Sequence, residues 1–212
     1  MSKTGFGPAE FQRETGVSRE TLDRFEQWRA RLAEVNAHTN LVGRSTLEQF
    51  WHRHALDSWQ VYQLAADAPR WADLGSGAGF PGLAIAFGLM GRGVPEPMVH
   101  LVESVGKKAR FLSAVAEAAA APVRVHPVRV EALAEIPEVD VVTARAMAPL
   151  PRLLGYVQPF VEKGAVALLP KGRNAKEELT LARKSWTFEA KVIPSHTDPE
   201  ASILEIRGLH RA

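Results

Sequence analysis

A chain of 212 residues with 46% hydrophobic content is long enough for one α/β domain with an appendage and a full core. It holds no cysteine, which excludes a disulfide framework, a thiolate metal site and a catalytic thiol. A formal net charge of +2 permits a nucleic-acid partner without demanding one, and the opening Met-Ser-Lys-Thr-Gly-Phe-Gly has no apolar leader. No apolar run reaches membrane-spanning length, so a cytoplasmic protein is the expectation.

In chain order, Pro8 to Glu14 reads as a short helix, and a longer one follows from Ser18 as N-cap. Leu22, Phe25, Trp28, Leu32 and Val35 recur at three- and four-residue steps, giving that helix one apolar face. Arg19, Arg24, Arg29 and Arg31 lie off the stripe, either as a solvated face or as phosphate contacts. Asn40 to Arg44 connects to Ser45-Thr-Leu-Glu48, a capping-box pattern opening a helix that carries Phe50 to Ser58. His54 and Asp57, three apart, share a face within hydrogen-bonding reach, as a pin to the main domain or as part of a site. No further ligand-spaced His or carboxylate accompanies them, so a metal site is not expected.

Arg70-Trp71-Ala72 ends a strand, and Leu83 to Met90 is a packed helix. Between them stands Asp73-Leu-Gly75-Ser76-Gly77-Ala-Gly79-Phe80-Pro-Gly82, a strand-to-helix turn with four glycines. Alternating glycines allow positive φ and close ligand approach, and their amides, with those opening the next helix, are expected to face outward as a nest for a polar or anionic group. Pro81 suits the first helical turn. Gly77-x-Gly79-x-x-Gly82 also satisfies the dinucleotide pattern. Asp73, two residues before the first glycine, would repel a pyrophosphate but suits S-adenosylmethionine, which has no phosphate and carries an amino group and a sulfonium. The stretch therefore looks like motif I of a class I methyltransferase.

A turn-rich insert at 91–97 leads to the strand Met98 to Glu103. An acid ending the second strand takes up ribose hydroxyls in such sheets; the insert accounts for its lying beyond the usual spacing of about 20 residues. Gly106 to Ala120 is helical with Phe111, Leu112 and Val115 inward, and Lys107, Lys108 and Arg110 stand near its start against the helix dipole. Val123 to Arg129 alternates as a strand with Pro127 marking an edge. Val130-Glu131 follows, well placed to cover an adenine. Val139 to Arg145 is the fourth strand, delivering Arg145 to the topological switch point where ligands bind. Pro149 to Val161 is a helix, Gly164 to Gly172 a strand ending in Lys171, and Asn174 caps a polar helix to Ser185. Phe188 to Ile193 and Ser202 to Arg207 complete seven strands.

Asn40-Leu-Val, Arg53-His54-x-x-Asp57-Ser58, the glycine loop, Glu103-Ser104-x-x-Lys107-Lys108, Val142-Thr-Ala-Arg145-Ala and Lys171-Gly172 stand in an order that resembles the bacterial small-subunit rRNA guanine-N7 methyltransferase family, also called RsmG or glucose-inhibited division protein B. The likeness runs from about residue 20 to near the end. It implies a class I S-adenosylmethionine-dependent methyltransferase fold, a Rossmann-like seven-stranded sheet over 67–212 with a helical extension over 1–66. It implies transfer to N7 of a single guanine, guanine 527 of 16S rRNA. By matched position, Asp73, Gly75, Ser76, Gly77, Gly79 and Phe80 would hold the methionine end. Glu103 and Ser104 would hold the ribose, and Val130 and Glu131 the adenine surroundings. Arg145 falls in the active-site segment, touching cofactor and positioning substrate. Val130 replaces a smaller residue more usual there.

Guanine N7 keeps an unprotonated lone pair at neutral pH, so no general base is expected, and alignment with water exclusion carries catalysis. Lys107, Lys108 and Lys171 are expected to contact the RNA backbone. A paired guanine must first be exposed, so a 30S subunit or assembly intermediate is the expected substrate, met by a monomer. The alternatives are a methyltransferase of another acceptor, a non-catalytic nucleotide-binding regulator, and, third, a nicotinamide enzyme.

Overall fold

The computed structural model describes residues 5–212, and only the backbone at Arg44; residues 1–4, where the opening read as leaderless begins, lie outside the described residues. Helix α1 (Pro8–Thr15) closes on Gly16 at φ 69°, and α2 (Arg19–Thr39) starts where Ser18 Oγ accepts from Thr21 N, as its N-cap position predicts. Leu22, Phe25, Trp28 and Leu32 are buried along its apolar stripe. On the other side Arg19 pairs with Asp23 and Arg31 with Glu34, which is the solvated-face reading for those two arginines.

The next stretch departs from a single capped helix. Asn36 Oδ1 accepts from Val42 N at 2.8 Å, and winding begins at Gly43 rather than at Ser45. The five-residue α3 (Arg44–Glu48) leads into a π-helical segment, Phe50–Leu56, and then into α4 (Asp57–Gln63). Wider turns of this kind recur at functional sites, and this one carries His54.

The sheet is β3-β2-β1-β4-β5-β7-β6, with β1 (Arg70–Leu74), β2 (Met98–Val102), β3 (Val123–His126), β4 (Val141–Thr143) and β5 (Val166–Lys171) parallel. The last two, β6 (Trp186–Pro194) and β7 (Ser202–Arg211), form an antiparallel hairpin with β7 against β5, and both outrun their expected ends. Between strands come α5 (Gly82–Arg92), α6 (Gly106–Ala118), α7 (Leu150–Val161) and α8 (Ala175–Ala182). Asn174 occupies the N-cap of α8 but makes no side-chain cap bond, and that helix stops short of Ser185. The order reverses between β1 and β4, so a crevice opens at the C-terminal ends of those strands.

Strand alternation splits the core between the two faces. Ala72 and Leu74 face α7 and the hairpin; Trp71 faces the other way with Leu101, α5 and the N-terminal helices. The extension has no separate core among the described residues. Trp28 lies 4.5 Å from the Phe80 ring and 6.1 Å from Phe87, Phe25 lies 5.5 Å from Phe87, and all of these rings are buried. At roughly 1.5–3 kcal/mol per buried large side chain, this aromatic seam binds extension and sheet strongly.

Candidate functional site

The glycine loop leaves β1 in left-handed backbone at Gly75 (φ 71°), Gly77 (φ 61°) and Gly79 (φ 105°). Because Leu74 is in register with Val102, the β2 carbonyl lies beneath the loop and accepts from both Gly75 N (2.8 Å) and Ser76 N (3.1 Å). Gly79 N donates to Ser76 O, and Ser76 Oγ to Asp73 O. The expected nest of outward amides is thus corrected: these amides, and that of Gly77, are bonded inside the protein. The glycines also divide in purpose. A Cβ at Gly82 would collide with Leu101 and the Asp73 carboxylate, whereas one at Gly77 would meet only Gly75 O at 3.9 Å, so Gly77 serves its backbone angle and leaves open space.

Asp73 has no exposed surface; its Oδ2 accepts from Gly82 N at 3.1 Å, capping α5 from within, while Oδ1 is buried without a hydrogen-bond partner. Burial raises its pKa to about 7. Glu103, also buried, accepts from Gly77 N (2.8 Å) and Val105 N (2.7 Å). A carboxylate has about four acceptor sites, so Glu103 retains capacity for a ligand hydroxyl. Ser104 is exposed beside it, and Val130 (buried) and Glu131 (exposed) open a short 3₁₀ turn beyond β3.

Arg145 emerges past β4, followed by Ala146 at φ 53°, a strained angle for a residue with a Cβ. Its guanidinium lies 5.1 Å from the Phe80 ring centroid, donates from Nη1 to Asp57 Oδ2 at 3.2 Å, and stands with Nη2 3.1 Å from His54 Nδ1. His54 and Asp57 are therefore joined through Arg145 rather than to each other. Burial first, then the Arg145 and Arg53 charges, hold the His54 pKa down at about 3.

Asp57 also accepts, on Oδ1, from Gln60 Nε2 (2.8 Å) and Thr197 Oγ1 (2.9 Å). Gln60 accepts from His196 N and donates to Ser195 Oγ, which fixes the β6–β7 connection against α4. Trp28 Nε1 donates to Ala78 O at 3.0 Å, tying α2 to the glycine loop. Sequence reasoning missed Gln60, Ser195, Thr197 and Trp28 as site supports; the first three meet across more than 130 residues of chain, and only the apolar role of Trp28 shows in the helical period.

The glycine loop and the Arg145–Asp57–His54 cluster border a cleft of about 1540 Å³. Gly75, Ser76, Gly77, Phe80, Lys108 and Arg145 line it, as do His54 and the β6–β7 connection. A pocket for one small ligand needs roughly 300–1,000 Å³, so this cleft can take a larger substrate portion. Glu103, Ser104, Val130 and Glu131 fall outside its lining, with Glu103 reached from the loop through Gly77 N. Of the three lysines, Lys108 and Lys171 line the cleft and Lys107 does not. Lys107 Nζ donates to Thr39 O at 2.6 Å at the C-terminal end of α2, where a cation suits the helix dipole. Lys171, 8% exposed, is bonded to Ala148 O and Glu178 and joins the starts of α7 and α8. In the cleft lining, the Lys171 charge is matched within the fold by Glu178.

A sheet reversing at β1 and β4, with a glycine turn after β1 and an acid after β2, defines the class I S-adenosylmethionine-dependent methyltransferases. The fold matches a Podospora anserina methyltransferase solved with SAH bound (TM-score 0.61, 12% identity, 94% of this chain and 92% of that one) and, at TM-score 0.53 and 14% identity over 71% and 76%, Aeropyrum pernix fibrillarin with natively bound S-adenosyl-L-methionine. The sequence goes further. Residues 21–203 match the family model described as rRNA small subunit methyltransferase G. Proteins of that name are 49% identical in Parvibaculum lavamentivorans (92% of this chain, 87% of the relative) and 44% identical in Caulobacter vibrioides (96% and 92%). The chain belongs to the rRNA small subunit methyltransferase G family.

Proposed function

We propose that this protein transfers the methyl group of S-adenosylmethionine to N7 of guanine 527 in 16S rRNA. The observation that carries the reading is the meeting, in one cleft, of the glycine loop with the Arg145–Asp57–His54 cluster. The donor supplies an electrophilic methyl carbon on a sulfonium. Gly75 to Gly77 would hold its methionine end, with Asp73 supporting the loop from below through Gly82 N, and Glu103 with Ser104 would receive the ribose hydroxyls. Val130 and Glu131 border the adenine. The fit rests on the open side of Gly77 and the spare acceptor capacity of Glu103.

On the acceptor side, the N7 lone pair forms the new carbon–nitrogen bond while the broken carbon–sulfur pair stays on sulfur, so no proton moves and no base is required. Phe80 and Met147, whose side chain lies beside Gly75, both line the cleft and would exclude water there, and alignment supplies the rate. Two guanidinium N–H groups of Arg145 are engaged with Asp57 and His54, leaving others for a substrate phosphate. Lys108 adds a backbone contact; Lys107 and Lys171 act by bracing the cleft walls. The substrate is a 30S particle or an assembly intermediate, met by a monomer in the cytoplasm. Among the described residues no helix is long and apolar enough to cross a membrane.

The test is transfer of labelled methyl to 30S particles lacking the modification, with the nucleoside identified by mass. Label as 7-methylguanosine at one 16S site is the expected result. Label on another nucleoside, or on protein, would redirect the acceptor assignment, and cofactor binding without transfer would point to a regulator.

A further inference from the structure

We infer that His54 is the residue that recognises the target guanine: its imidazole is held neutral with the proton on Nε2, and that N–H donates to guanine O6 while N7 stays free. The inference rests on the function proposed above and assigns part of its acceptor subsite.

The tautomer follows from Arg145. A guanidinium nitrogen can only donate, so His54 Nδ1, 3.1 Å from Arg145 Nη2, must accept and the ring proton must sit on Nε2. A second ring proton would put two donors face to face. Burial and the neighbouring charges of Arg145 and Arg53 act in the same direction, holding the ring neutral down to a pH of about 3. The ring is also fixed in place. It lies 5.0 Å from the Phe80 ring, rises from the π-helical segment, and borders the same cleft as Gly75 and Ser76.

The reaction explains why a neutral donor belongs here. Methylation at N7 turns a neutral base into a cation, and O6 is the acceptor beside N7 on the same base edge. A charged donor at O6 would oppose the charge that develops in the ring, whereas a neutral N–H holds the oxygen without that repulsion. Arg145, the nearest cation, has its charge matched by Asp57. Adenine presents an amino donor where guanine presents O6, so His54 Nε2–H would meet another donor and leave both unpaired. A single side chain thus supports N7 methylation and selects guanine.

Two measurements test this. The first, nitrogen-15 NMR of the histidine rings in the full-length protein, requires no activity. A neutral Nε2–H ring for His54 between pH 8 and pH 5 is expected; an Nδ1–H tautomer, or an imidazolium at pH 6, overturns the inference. The second compares His54→Phe and His54→Gln on 30S particles carrying guanine or adenine at the target position. His54→Phe should lower kcat/KM on guanine about 10²-fold with S-adenosylmethionine affinity retained, and should narrow the preference over adenine. His54→Gln, whose amide N–H reaches the Nε2 position, should restore most of both. Equal losses on the two bases, or no loss in His54→Phe, refute recognition by His54, as does a His54→Gln protein that folds and binds cofactor without any recovery. If wild-type protein leaves 30S particles unmodified, the function proposed above fails, and the NMR result still judges the tautomer.

Discussion

Asp73→Asn isolates the electrostatic cost of the acid beneath the glycine loop. The wild-type carboxyl is fully buried, and its pKa rises from 3.8 to about 7 because burial outweighs the Gly82 N–H and the Arg145 charge. Below pH 3.8 both folded and unfolded chains carry the proton, so the group adds no pH dependence. Between pH 3.8 and about 7 the unfolded chain releases the proton and the folded one keeps it, so stability falls as pH rises; above about 7 the loss is complete. At about 1.4 kcal/mol per pH unit, the full loss is on the order of 4 kcal/mol. Asparagine keeps an acceptor for Gly82 N and removes the charge. Its amide N–H₂ in the place of the unpartnered Oδ1 adds a pH-independent penalty of roughly 1–3 kcal/mol. Urea unfolding of both proteins at intervals from pH 4 to pH 8, without cofactor, gives the two stabilities, and all groups they share cancel in the difference. The stability of Asp73→Asn relative to wild type should climb by about 4 kcal/mol across that range. A difference that stays flat with pH would refute the raised pKa and, with it, the picture of an acid kept neutral under the loop.

Three further outcomes follow from the same geometry. A double-mutant cycle on Asp57→Asn and Arg145→Gln should give a coupling of roughly 1–3 kcal/mol in unfolding experiments, because the pair is about four-fifths buried and Asp57 also holds Gln60 and Thr197. Lys107→Ala should lose about 1 kcal/mol of stability from the freed α2 carbonyls with RNA affinity intact, whereas Lys108→Ala should leave stability unchanged and reduce the salt slope of 30S binding by about one. Trp28→Ala should cost roughly 3–5 kcal/mol by thermal or urea unfolding and weaken S-adenosylmethionine binding measured by calorimetry, since it removes both an aromatic anchor and the bond to Ala78 O.

The fold was legible where local pattern and tertiary environment agree. The helical period of α2 and the apolar runs of β1, β2 and β4 mark buried faces directly, and the glycine loop shows itself because Gly75, Gly77 and Gly79 need angles other residues resist. Legibility ended where one side chain serves a distant backbone. The three lysines look alike in sequence, yet Lys107 caps α2 from the start of α6, Lys171 joins α7 to α8, and Lys108 lines the cleft. Ser45-Thr-Leu-Glu48 has the form of a capping box, but Asn36 pins Val42 and the chain begins to wind earlier. The His54–Asp57 spacing correctly marked a shared face; only the structure supplies Arg145 between them.

The extension and the sheet are connected at the places where the chemistry needs stiffness. Trp28 reaches from α2 to Ala78 O inside the glycine loop, Phe80 from that loop packs against Trp28, and the Arg145 guanidinium lies over the same Phe80 ring. Arg145 in turn orders His54 and Asp57, and Asp57 holds the β6–β7 connection through Thr197. A displacement of α2 would therefore reach both walls of the cleft through a short series of bonded contacts. For the transfer proposed above, which depends on aligning three atoms rather than on moving a proton, a misplacement of about 1 Å would cost on the order of 10²-fold in rate. Under the function proposed above, the N-terminal helices would therefore affect transfer through the loop that Trp28 ties down and the Arg145 that packs on Phe80.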